Sequence, residues 1–146
     1  MKLGLAIEQV AHAERELADQ LTTVGERHRT DHDVFHMTRT LAKKERAHID
    51  ALEPHARRYD TELAGIENAQ PDNEGFRGPA LLGDLRRLHL LAAGASLDWV
   101  ALAQGAQAAK DSHLLATVTE CHDQTLRTLK WTTYRLKEAA PQALTS

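Results

Sequence analysis

The 146 residues suffice for one domain with a real core, and a formal charge of −3 with acids and bases interspersed excludes the clustered basic surface of a nucleic-acid binder. Ala and Leu dominate the apolar content, and the few aromatic and β-branched residues leave little to favour a pleated sheet. Cys121 is the only cysteine, so an internal disulfide is excluded, and no polybasic segment marks a membrane anchor.

Near the start, the apolar run Leu3-Gly-Leu-Ala-Ile7 is ended by Glu8, too short for a signal-peptide core. The longest later run, around Leu90 to Leu97, is far below membrane-spanning length. The expectation is a soluble, cytoplasmic, single domain over residues 1–146.

The first segment, about residues 3–28, places Leu3, Ile7, Val10, Leu17, Leu21 and Val24 on one helical stripe. Position 14 belongs to the same stripe and is a Glu, whereas Glu8, Glu16 and Asp19 fall on other faces. Gly25 loosens the helix, and Thr30-Asp-His-Asp33 resembles a capping box with Thr30 at the N-cap. A second helix over about 31–59 then carries Phe35, Thr38, Leu41, Ala42, Glu45, His48, Ile49 and Leu52 inward, and Pro54 is expected to kink it or end it early.

Residues 60–78 form the one long connection, between helices 2 and 3. Asn68 to Gly75 and Gly78-Pro79 are breaker clusters, Leu63 and Ile66 are placed to pin a turn on the bundle, and Pro79 suits the first position of the next helix. That third helix, about 79–110, turns Leu81, Leu85, Leu88, Ala92, Ala95, Trp99, Leu102 and Ala106 inward. Asp111-Ser112 caps a fourth helix over about 112–140, with Leu115, Val118, His122, Leu126, Leu129 and Leu136 inward and Pro141 as its stop. Four long amphipathic helices make an all-α four-helix bundle the most economical fold.

The stripes carry polar residues where hydrocarbon is expected. They are Glu14 on the first helix, Glu45 and His48 on the second, and His122 on the fourth. A carboxylate rarely enters a core unaided, because desolvation costs several kcal/mol per ion; a divalent metal or a salt bridge to Arg15, Arg39 or Lys44 would compensate. Glu14 lies about as far before the turn at Thr30 as Glu45 and His48 lie beyond it, so antiparallel helices rising about 1.5 Å per residue bring the three to one level. A connection of about twenty residues, at roughly 3.3 Å each, can also run the length of the bundle, which would bring His122 to that layer. With the simple up-and-down order, His89 would lie near His48 instead.

Glu14 and the Glu45-Arg-Ala-His48 motif, set on four amphipathic helices, resemble the ferritin-like superfamily. Members with a complete di-iron or di-manganese centre carry a carboxylate on each of two helices and Glu-x-x-His on each of the other two. The third helix here has no acid on its stripe, since Asp84 and Asp98 fall to the side, and Glu120 points away from His122. The resemblance therefore implies either a half-site, with one divalent metal held by Glu14, Glu45, His48 and His122, or a degenerate relic of such a centre. Carboxylate and imidazole donors suit iron, manganese or zinc.

His28, His32 and His36, spaced by four, form a second candidate for a transition metal, against the plainer reading of a polar turn. Cys121 lacks a visible base or oxyanion partner and reads as a small core-edge residue. Trp99, Trp131 and Tyr134 read as packing, with Trp131 to Tyr134 a candidate face for a partner subunit. The expected function is metal binding in the bundle core; in an enzyme, the metal would activate dioxygen, peroxide or water. The alternative is a non-catalytic helical scaffold acting as a homodimer, and a homodimer is expected on either reading, with no nucleic acid and no membrane among its partners.

Overall fold

The computed structural model describes residues 2–63 and 76–146. Its helices are α1 (Leu3–Arg27), α2 (His32–Arg58), α3 (Ala80–Ala108) and α4 (Ser112–Thr145), and the fold is an all-α four-helix bundle. Among the described residues no helix is long and apolar enough to cross a membrane. Ile66 and the breaker cluster from Asn68 to Gly75 lie outside the described residues.

The turn between α1 and α2 is tight. Asp31 rather than Thr30 is the N-cap, its carboxylate accepting from the Val34 backbone N–H at 3.2 Å. Gly25 is needed nearby for proximity, because a Cβ there would run into the Thr38 hydroxyl of α2. Gly4 plays the same part at the other end of α1, where a Cβ would sit 2.9 Å from the Tyr59 carbonyl oxygen. Between α3 and α4 the chain reverses through Lys110, at φ 57°, and Asp111 caps α4 by accepting from the Leu114 N–H at 3.0 Å. The stop expected at Pro141, and the early end expected as one of two outcomes at Pro54, are overturned. Pro54 sits inside α2, which continues to Arg58, and Pro141 sits inside α4, which continues to Thr145. Both prolines are exposed, where a missing N–H and a tilted carbonyl can be met by water. Pro79 is the N-cap of α3 rather than its first residue.

Two apolar clusters divide the core along its length. One joins Ile7, Val10 and Ala11 of α1 to Ile49, Leu52 and Ala56 of α2, Trp99, Leu102 and Ala106 of α3, and Leu114, Val118 and Cys121 of α4. The other joins Leu17, Leu21 and Val24 to Val34, Leu41 and Ala42, Leu85, Leu88 and Ala92, and Trp131. The start of α1 therefore lies level with the ends of α2 and α3 and the start of α4, so α2 and α3 run parallel. Leu63, at the start of the long connection, packs into the first cluster, while Phe76 lies against Gly83 near the start of α3, beside the second. The connection's two ends thus stand at opposite ends of the bundle. Helix α1 packs on α2 and α3, whereas α4 packs closely on α3 and only loosely on α2.

The inward face of α4 is rotated by about one residue from the expected stripe. Leu114, Val118, Cys121, Thr125, Thr128, Trp131 and Thr132 are buried, while Leu126 is 40% exposed and His122 is only half-buried. On α3, Leu82 is buried in place of the half-buried Leu81. Asp84, expected at the side, is also buried, bound to Arg27 and to His28, each at 2.6 Å.

Candidate metal centre

The two apolar clusters leave a gap midway along the bundle, and the gap is polar. On α1 it falls between Ala11 and Leu17 and holds Glu14; on α2, between Ala42 and Ile49, it holds Glu45 and His48. Helix α4 presents Thr125 and Thr128 between Cys121 and Trp131, and α3 presents Ala95 just before Trp99. Glu14, Glu45, Thr125 and Thr128 are fully buried, and His48 is 7% exposed. The helical spacing that generates the apolar stripes places these groups at one height.

Donors converge on the carboxylates. The Trp99 indole N–H donates to Glu14 Oε1, and the Thr125 hydroxyl donates to the same oxygen at 2.7 Å. The Thr128 hydroxyl donates to Glu45 Oε1 at 2.9 Å. The second oxygens, of which Glu45 Oε2 also accepts from the Thr125 hydroxyl at 3.5 Å, turn toward His48, whose Nδ1 lies 3.6 Å from Glu14 Oε2 and 3.2 Å from Glu45 Oε2. These are approaches of opposite charge without hydrogen-bond alignment, since Glu14 Oε2 and His48 Nδ1 are buried with no aligned partner. The His48 ring stands edge-on to Trp99, with centroids 6.0 Å apart.

The layer's protonation follows from its burial. Burial pushes the Glu45 carboxyl up, and the neighbouring Glu14 carboxylate pushes it further, to about 8 against the opposing pull of His48. Glu14 is also pushed up by burial, but the neighbouring Glu45, His48 and the Thr125 hydroxyl together outweigh that and hold it below its ordinary value. For His48 burial favours the neutral ring, yet the two carboxylates prevail and raise it to about 9. At neutral pH the layer thus consists of a carboxylate, a neutral carboxylic acid and an imidazolium, with no net charge.

Glu14, Glu45 and His48 each offer one ligand atom, and these atoms lie within 4.8 Å of one another. Two carboxylate oxygens and an imidazole nitrogen are hard and borderline donors, suited to a divalent cation. A cation among them would also satisfy Glu14 Oε2 and His48 Nδ1, so the residues fit a metal.

The other sequence candidates go elsewhere. His122 does not join the layer; its Nε2 shares a hydrogen bond with Ser96 Oγ of α3 at 2.7 Å. His89 lies toward the other end of the bundle, 2.9 Å from the Thr132 hydroxyl. His28 is held by Asp84, and the exposed His32 and His36 stand with ring centroids 6.4 Å apart. The Cys121 thiol is buried and pushed up to about 12, chiefly by that burial and then by Glu14, so it is no nucleophile. Trp131 packs inside the second cluster rather than facing outward. Sequence reasoning missed three donors: Trp99, taken as packing alone, and Thr125 and Thr128. The signal for the threonines was their spacing from Cys121 and Trp131, which marks one face of α4.

Compared with protein-family models, curated proteins and solved structures, the chain matches none of them.

Proposed function

We propose that the protein binds a divalent metal ion, of the iron, manganese or zinc type, through Glu14, Glu45 and His48. The observation that carries this reading is a polar layer sealed between two apolar clusters, in which Glu14 Oε2 and His48 Nδ1 have no aligned partner. A core normally excludes such groups, and one cation would satisfy both at once. Trp99, Thr125 and Thr128 act as the outer supports that fix the carboxylates. When bound, such a metal supplies a Lewis acid and, if iron or manganese, a redox centre. Kinship with the ferritin-like superfamily is supported by the parallel course of α2 and α3 and by the motif on α2, and remains part of this proposal.

The test is a titration of chelator-treated protein with Zn²⁺, Mn²⁺ or Co²⁺, followed by Trp99 fluorescence in a Trp131→Phe background. The indole donates to Glu14, so saturable quenching or enhancement at one equivalent is expected. A flat titration with all three ions would refute the reading.

The homodimer reading has one observation in its favour. Leu90 and Leu97, seven residues apart on α3, are 53% and 70% exposed. Light scattering at high concentration tests it, and a monomer would count against it.

A further inference from the structure

The polar layer is closed on most sides. The apolar clusters plug it above and below, Trp99 covers Glu14 from α3, and Thr125 and Thr128 cover it from α4. The loose pairing of α2 and α4 leaves the remaining side open. There a cleft of about 610 Å³ runs between Ala47 and Ala51 on α2 and Thr117 and Gln124 on α4, with His48 and Cys121 at its floor. The cleft exists because the α2 residues beside it are alanines, too short to reach α4. Of the three candidate ligands only His48 lines it, and its side chain is 9% exposed while those of Glu14 and Glu45 are fully buried.

We infer that this cleft is the route by which a small oxygen- or nitrogen-donor molecule reaches a metal held by Glu14, Glu45 and His48. The inference rests on the metal reading proposed above and adds to it a direction of access and a class of ligand. Three protein side chains can leave a bound metal short of the four or more donors that divalent transition metals take, and the His48 ring, its Nδ1 buried against the carboxylates, is what separates that metal from the cleft. Lys44 and Arg127 on its walls favour an approaching anion, while Asp123, 3.1 Å from Arg127, and Glu120 keep the mouth near neutral. A small monoanion or a neutral donor such as water or peroxide therefore suits it better than a polyanion.

Azide is the probe, and the visible spectrum of Co²⁺ loaded by equilibrium dialysis is the readout, so that slow metal entry does not enter the result. Ala47→Trp and Ala51→Trp each fill the cleft from an exposed position that supplies none of the three ligands, and Ala101→Trp on the exposed face of α3 is the control. Azide is expected to shift the Co²⁺ spectrum of the wild type and of the control. In both cleft variants the Co²⁺ spectrum before azide should be unchanged and the apparent azide affinity lower by about tenfold or more, because the concave site is filled. A Co²⁺ spectrum indifferent to azide in the wild type, or equal azide affinity in all four proteins, would overturn the inference while leaving the metal reading intact. A wild type that takes up no Co²⁺ would overturn both.

Discussion

Glu45→Gln should make the metal-free protein more stable, although it alters a fully buried residue at the centre of the core. An unfolded chain ionises this carboxyl near its ordinary value of 4.5, whereas the folded one holds its proton up to about 8. At pH 7 folding must therefore put a proton on a group that would otherwise be ionised, a cost of about 3 kcal/mol that approaches about 5 kcal/mol above pH 8. Glutamine is neutral at every pH, as the protonated carboxyl is at pH 7, and one amide N–H can point toward the Glu14 carboxylate while its oxygen still accepts from Thr128. Its second N–H has no partner in the layer, which returns about 1–2 kcal/mol of the gain. The net expectation is a variant more stable by about 1–2 kcal/mol at pH 7 and about 3 kcal/mol at pH 9.

The sign follows from proton uptake. The folded wild type binds more protons than the unfolded chain between 4.5 and 8, so its stability falls as pH rises through that window. Below 4.5 the two forms are equally protonated, and the advantage of the variant disappears. His48, raised to about 9 by both carboxylates, loses its own contribution as pH rises through that value, and that contribution is smaller in the variant, where Glu45 no longer acts on the ring. Urea unfolding of chelator-treated protein, followed by helical circular dichroism across this range, measures the difference. A variant less stable than the wild type by the same amount at every pH would refute the reasoning, because Glu45 would then be an anion in the folded protein.

Three further outcomes follow from the same geometry. Thr128→Val keeps the shape but removes the donor on Glu45 Oε1 at 2.9 Å, and should lower the urea midpoint by an amount worth about 1–2 kcal/mol. Asp111→Ala removes the cap of α4 together with the acceptor for Arg58 at 2.9 Å and Tyr59 at 2.6 Å, a loss of about 2 kcal/mol. Those donors, Tyr59 first, hold the Asp111 carboxyl below its ordinary 3.8, so its contribution is present above that pH and lost as pH falls; the variant's acid unfolding should be correspondingly flatter. Metal binding at pH 7 should release about two protons, one from Glu45 and one from His48, and progressively fewer as pH rises through 8 and 9. Calorimetry in buffers of different ionisation enthalpy counts them, and a release that does not change with pH would contradict the assigned protonation.

The candidate site was legible in the sequence where its signal was a polar residue interrupting an apolar period. Glu14, Glu45 and His48 stand on stripes otherwise made of Leu, Ile, Val and Ala, and their equal distance from the Thr30 turn predicts one height. The phase of α4 was not legible in the same way. Its leucines at 115, 126, 129 and 136 trace a stripe of their own, but hydroxyls that must face carboxylates turn the helix toward Thr125 and Thr128. That rotation also carries His122 to Ser96. The parallel course of α2 and α3 could not be read from the chain, because a connection of that length can either return or cross. The stop at Pro141 and an early end at Pro54 fail for a local reason: on an exposed face the lost hydrogen bond can be met by water, and the packed face holds the helix through.

The most direct measurement is metal content by elemental mass spectrometry on untagged protein purified without chelators, alongside Glu45→Gln. The tag must be absent because nine native histidines already attract stray ions. Near-stoichiometric iron, manganese or zinc in the wild type, lost in a variant that stays helical, is the expected result. A wild type that is metal-free and cannot be reloaded, or a variant that keeps its metal, would contradict a centre built on Glu14, Glu45 and His48.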